Sequence, residues 1–168
     1  MRELMKKFSK REFEQIVLYI INQINGKELG KVKLNKILWF SDLEKYMETG
    51  STITNCRYCR QNHGPISRSL DTSVNALEIN GCISRDREND ESMWLYTPIK
   101  QADISFLKDE DKIIIDKQIE RIRPMKAKDI SAETHTATWE ALENGAEMPV
   151  SLVAMEKLVN NDIDVKWN

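Results

Sequence analysis

Residues 57–67 read RYCRQNHGPIS, and with Cys56 before them they bring two thiols and an imidazole close together. Cys56 and Cys59 have the Cys-x-x-Cys spacing by which two thiolates from one tight turn take two corners of a tetrahedral zinc site, and His63 offers a third ligand. Such a site normally recruits a second pair from a distant part of the chain. Cys82 stands alone, and the sequence holds no second Cys-x-x-Cys and no His-x-x-x-His. No metal or other cofactor is therefore expected. A thiol working with His63 as its base would need an orienting group and an oxyanion hole, and Asn62 is the sole local candidate.

The other histidine, His135, precedes Trp139 by four positions in ETHTATWE. A four-residue spacing puts both on one face if the helix continues, so the pair is expected in the core joining the C-terminal helices to helix two. Carboxylates cluster at Glu110 and Asp111, and at Asp86, Glu88, Asp90 and Glu91, in charge runs of the kind that face solvent. There is no Gly-x-Gly-x-x-Gly, no Gly-Lys-Ser/Thr loop and no Gly-x-Ser-x-Gly. With the common nucleotide and hydrolase signatures missing, no catalytic residue is assigned and no enzyme is expected.

The elements that must position these residues are mostly helical. The chain of 168 residues, 40% apolar and 31% charged, has material for one domain spanning 1–168 with its core at about 9–160. Its longest apolar runs fall far short of the roughly 20 residues of a membrane span. The basic N-terminus is not followed by an export-type cleavage site, so a cytoplasmic protein with reduced cysteines is expected.

Ser9 caps a first helix through Ile24 with Gly26 as its stop, and Leu34, Ile37, Leu38, Ser41 and Lys45 mark one face of a second helix ending at Gly50. Residues 51–63 lack helical periodicity and read as a loop or a short extended piece. Pro65 suits the first turn of a third helix, which carries Ile66, Leu70, Val74, Leu77 and Glu78. Two extended pieces follow around RENDE as a hairpin, with Ile83 facing Trp94, Leu95 and Tyr96. A fourth helix buries Ile114, Ile115, Ile119 and Ile122, and three short helices follow, punctuated by Thr134 or Thr136, Gly145 and Pro149.

Helix, helix, helix, hairpin is also the order of a winged helix-turn-helix. In that alternative the third helix reads DNA through Arg68 and Asn75, flanked by Arg57, Arg60, Arg85 and Arg87. The net charge of −2 and a pI near 5.8 argue against nucleic acid as a partner.

Three separated patches, KVKLNKILWFSDLEKYMETG, ITNCRYCRQNHGPISRSL and AETHTATWEALENGAEMP, together resemble the Panacea domain, the SocA-like antitoxin family of bacteria and their phages. The first is similar to its Lys-Leu-x-Lys-Leu-Leu-Tyr-Phe helix, here Lys33, Leu34, Lys36, Ile37, Leu38, Trp39 and Phe40. The second matches its aromatic-to-Gly-Pro loop through Tyr58, Gly64, Pro65 and Ile66, with His63 where the family often has tyrosine. The third matches its Ser/Thr-His-x-x-x-Trp element through Thr134, His135 and Trp139.

The resemblance implies a mostly α fold with a small β-hairpin and no catalytic residues. It implies an antitoxin that neutralises a cognate protein toxin by direct binding, or by delivering it to a protease. Under that reading Gly64 and Pro65 form a turn into the third helix, Tyr58 and His63 pack the loop down, and the cysteines are incidental.

Overall fold

The computed structural model describes residues 6–24, 29–87 and 94–167, and of residues 87 and 162–167 it describes the backbone alone. Gly26 and the acidic residues 88, 90 and 91 lie outside the described residues. Helix α1 runs Lys10–Gln23, and the Ser9 hydroxyl accepts from the Glu12 amide at 3.2 Å, the N-cap bond the sequence predicts. Helix α2 runs Lys31–Thr49 and ends on Gly50, whose φ of 77° supplies the left-handed C-cap.

The spacing in α2 predicts one apolar face, yet every residue from Leu34 to Leu43 is buried. The reason is tertiary: four other elements pack around α2, namely β2 (Gly64–Ser67), α4 (Asp109–Ile122), α5 (Ala127–Thr134) and α7 (Val150–Trp167). Helix α1 packs instead against α3 (Leu70–Ile79), α4 and β4 (Trp94–Pro98).

Within residues 51–63 the extended alternative holds at Tyr58–Gln61, while the expected helix start at Pro65 is corrected. Strand β1 (Tyr58–Gln61) pairs antiparallel with β2, in the register Tyr58 to Ser67 and Arg60 to Pro65. Pro65 therefore sits in a strand, and α3 starts only at Leu70. A proline is tolerated there because its missing N–H falls where the ladder needs no donor. The outward backbone groups of β1, at Tyr58 and Arg60, bond instead to residues 145–148: Arg60 N to Ala146 O at 2.8 Å, Gly145 N to Arg60 O at 2.7 Å and Met148 N to Tyr58 O at 2.9 Å. By the alternation of an antiparallel ladder, Pro65 and Ser67 turn their own groups away from β1.

The second hairpin, β3 (Ile83–Arg87) with β4, is as predicted, although Ile83 pairs with Pro98 and it is Arg85 that faces Tyr96. The winged-helix order does not hold. A helix-turn-helix joins its two helices by a short turn, whereas residues 50–69, with a hairpin among them, separate α2 from α3. The C-terminal third holds two short helices, α5 and α6 (Ala137–Ala141), and one long one, α7. The fold is mostly α with two small antiparallel sheets among the described residues.

Helix α4 shows how sharply burial divides one element: Ile119 is 6% exposed and Ile113 is 67% exposed. Ile119→Ala is expected to cost about 2 to 5 kcal/mol in urea unfolding, and Ile113→Ala less than about 0.5 kcal/mol.

Candidate functional site

The residues of the first two family-like patches meet where α2 grips the β1–β2 hairpin. Asn35, Lys36 and Asp42 are polar, yet each is at most 1% exposed. A buried polar side chain needs a partner, and all three find theirs on the segment that follows α2. Asn35 Oδ1 accepts from the Ser67 amide at 3.0 Å, and Lys36 Nζ donates to the Pro65 carbonyl at 3.0 Å. Both are outward groups of β2, so α2 side chains satisfy strand-edge groups that would otherwise be buried unpaired.

Asp42 collects the chain just before the hairpin. Its carboxylate accepts from the amides of Ile53 and Thr54, both at 2.9 Å, from the Thr54 hydroxyl at 2.5 Å and from the Tyr58 hydroxyl at 2.7 Å. Burial raises its pKa above the ordinary carboxylate value, while those donors pull the other way. Tyr58 is 2% exposed and meets Trp39 edge-on at 5.0 Å between ring centroids, so the hydroxyl is bound at one end of the ring and the apolar body packed at the other.

Gly64 fills the tightest point. Its φ is +102°, and a Cβ there would lie 2.0 Å from Thr134 Oγ1 and 3.0 Å from Lys36 Nζ. Thr134 comes from α5, its hydroxyl turned to Ser131 O at 2.7 Å. The glycine thus lets a strand, a buried lysine and the end of α5 converge.

The third patch closes the hairpin from outside, and here the expected core placement is corrected. His135 is exposed and Trp139 half-buried. Helix α5 ends at Thr134, His135 is its C-cap, and Thr136 caps α6, so the two aromatic residues do not share one helix. They nevertheless stack at 3.8 Å and 13°, and the Arg60 guanidinium lies 3.9 Å from the Trp139 ring centroid. Trp139 Nε1 donates to Gln61 O at 2.9 Å, and Arg60 Nε to Trp139 O at 3.2 Å. The pair clamps β1 and does not join the C-terminal helices to α2.

His63 is exposed at the hairpin turn and does not pack the loop down. Cys59 is on β1, Cys56 precedes it and Cys82 lies before β3; among the described residues no three His, Cys, Asp or Glu side chains gather to hold a metal ion. Burial and the Asp42 carboxylate push the Cys56 thiol up to about 12, the opposite of what a nucleophile requires.

Lys33 donates to Arg123 O at 2.8 Å, Leu34 is fully buried, and Phe40 lies under the Arg121 guanidinium at 4.5 Å. Those arginines proposed for DNA whose side chains are described have internal partners. Arg85 binds Glu78 and donates to Asn75 Oδ1 at 2.9 Å, Arg68 donates to Gly145 O at 3.2 Å, and Arg57 stands 3.9 Å from Glu147. The Arg87 side chain is outside the described residues.

Sequence reasoning missed Asn35 and Asp42. The available signal was a carboxylate inside the apolar run ILWFSDL, a position that costs stability unless donors meet it.

Two predictions follow from this geometry. Gly64→Ala is expected to lose about 3 kcal/mol or more of unfolding free energy, from strain and overlap together. Gly50→Ala, with φ +77° and nothing within 4 Å of its Cβ, bears the backbone term alone, about 1 to 2 kcal/mol. The second concerns Lys36, whose pKa burial lowers from 10.5 to about 7. Between those values the unfolded chain holds a proton that the folded chain has shed, so stability rises with pH and is lost as pH falls toward 7. Above pH 9.0 the Cys56 thiol opposes this, because it ionises first in the unfolded chain. Denaturant titrations from pH 7 to 9 are expected to show a positive slope of up to about 1.4 kcal/mol per pH unit, which Lys36→Met flattens.

A family model described as Antitoxin SocA-like, Panacea domain matches residues 34–140. No curated protein and no solved structure matches the chain. The matched span opens on the buried part of α2 and closes just past Trp139, so it encloses the hairpin, the Gly64 contact and the aromatic clamp. Matched by that model over more than half its length, the chain belongs to the Panacea family of SocA-like antitoxins.

Proposed function

We propose that this protein neutralises a cognate protein toxin by direct, stoichiometric binding, as one domain acting in the cytoplasm. The observation that carries the reading is the family match across α2, the hairpin and the clamp. The chemistry of the site agrees with it. Lys36 and Asp42 are sealed in the core and spent on backbone groups, and the Cys56 thiol is held protonated. A buried polar network of this kind fixes one arrangement of the chain and leaves the surface to do the binding. Delivery of the toxin to a protease is the second route to neutralisation. The DNA-binding alternative draws no support from Arg57, Arg60, Arg68 and Arg85, which are engaged within the chain.

The test begins with the reading frames adjacent to the gene. Each product is expressed alone and scored for growth arrest, then co-expressed with this chain. The expected result is that one arrests growth, is rescued by the chain and co-purifies with it at 1:1 stoichiometry. Absence of rescue for every toxic neighbour overturns the proposal. Toxin half-life separates the two routes: it is unchanged or longer under direct inhibition, and shortened under protease delivery.

A further inference from the structure

Asn-Gly occurs at 25–26, 80–81 and 144–145. The pair is chemically labile, because a glycine after asparagine has no Cβ to keep its backbone nitrogen away from the asparagine carboxamide. Asn25 and Gly26 lie outside the described residues. In the two described pairs both asparagines are exposed, and both glycines have positive φ, +69° at Gly81 and +85° at Gly145, with nothing within 4 Å of a Cβ built there. Local chemistry does not separate the two pairs, so the difference lies in what holds each glycine amide.

Gly81 donates to Glu78 O at 3.0 Å, a bond inside the turn that ends α3. Asn80 is the C-cap of that helix, and its hydrogen bonds run through its backbone, N to Ala76 O at 3.0 Å and O from Lys100 Nζ at 3.1 Å. Its carboxamide is untied among the described residues. Opening this turn releases local bonds at a helix end, where the free energy of opening is small. Gly145 donates instead to Arg60 O at 2.7 Å, across the edge of β1, beside the bonds from Arg60 N to Ala146 O and from Met148 N to Tyr58 O. Freeing that amide requires residues 145–148 to leave β1, and Met148 among them is fully buried.

We infer that Asn80 is a site of spontaneous deamidation in the folded chain, and that the β1 edge protects the same pair at Asn144. Once the turn opens, the Gly81 nitrogen attacks Asn80 Cγ. The new C–N bond forms as the Cγ–Nδ2 bond breaks, and the Gly81 proton leaves with Nδ2 as ammonia. Water then opens the cyclic imide at either carbonyl, giving aspartate, or isoaspartate whose main chain runs through Cγ. One water enters and one ammonia leaves, with no oxidant, enzyme or partner required. Isoaspartate lengthens the main chain by one methylene just before Cys82, whose N meets Leu77 O at 2.8 Å and whose O receives the Ile99 amide at 2.9 Å. Modification at Asn80 therefore acts on the junction of α3 with the second hairpin. It goes beyond the toxin-binding reading and does not depend on it.

The experiment uses the unaltered full chain, so no variant has to fold. The chain is aged at mildly alkaline pH, folded and in guanidinium chloride, and followed by peptide mass spectrometry with electron-transfer fragmentation, which separates isoaspartate from aspartate. In denaturant Asn80 and Asn144 are expected to convert at similar rates. In the folded chain Asn80 is expected to convert at least about tenfold faster than Asn144. Amide hydrogen exchange reads the cause, with the Gly81 N–H expected to exchange faster than that of Gly145. Equal rates in the folded chain, a faster rate at Asn144, or a Gly145 amide that exchanges as fast as Gly81 overturns the assignment. A tenfold difference that persists in denaturant overturns it as well, because the fold is then not its source.

Discussion

The structure depends on the hydrogen bonds between the buried polar side chains of α2 and the backbone that follows it. A helix buried on every side over ten residues, Leu34 to Leu43, would normally be apolar throughout. Here Asn35, Lys36 and Asp42 reach the Ser67 amide, the Pro65 carbonyl and the amides of Ile53 and Thr54. Removing any one leaves a buried backbone or side-chain group without a partner, at about 1 to 3 kcal/mol. The hairpin cannot move off α2 without exposing all three.

That constraint explains features that look unrelated. A two-stranded hairpin is marginal alone and has two open edges. Residues 145–148 bond to the β1 edge and α2 side chains bond to the β2 edge, so both edges of the small sheet are engaged. Pro65 serves the same end by removing a donor where none could be met. Gly64 then brings α5 against the lysine, and the Arg60, Trp139 and His135 stack locks β1 to the start of α6. The three sequence patches are separated in the chain because each supplies one wall of the same junction.

A junction this sealed offers little to a substrate. Lys36 and Asp42 are spent on holding backbone, and burial shifts the junction's titratable groups in the directions that disfavour charge: Asp42 upward, Lys36 downward to about 7 and Cys56 upward to about 12. Of the exposed large apolar side chains among the described residues, half lie on α7, at Leu152, Met155, Leu158 and Val159.

The sequence by itself determined the local elements. Ser9 and Gly50 bound their helices as capping chemistry requires, Ile114, Ile115, Ile119 and Ile122 of α4 turn inward at their helical spacing, and the β3–β4 hairpin appears where the strand pattern puts it. It also held the family, because the patches around Lys36, Gly64 and Trp139 keep their residue types and order. Tertiary structure alone decided the rest. Pro65 reads as a helix start by local preference, and becomes a strand residue because the edge it occupies is met by α2. His135 and Trp139 read as core by helical spacing, and lie outside because α5 stops at Thr134 and the pair stacks across the break. Asp42 looks like a flaw in an apolar run until four donors from residues 53–58 arrive around it. Periodicity reports what a segment does with its own neighbours; which buried polar group finds a distant partner depends on how segments far apart in the chain come together.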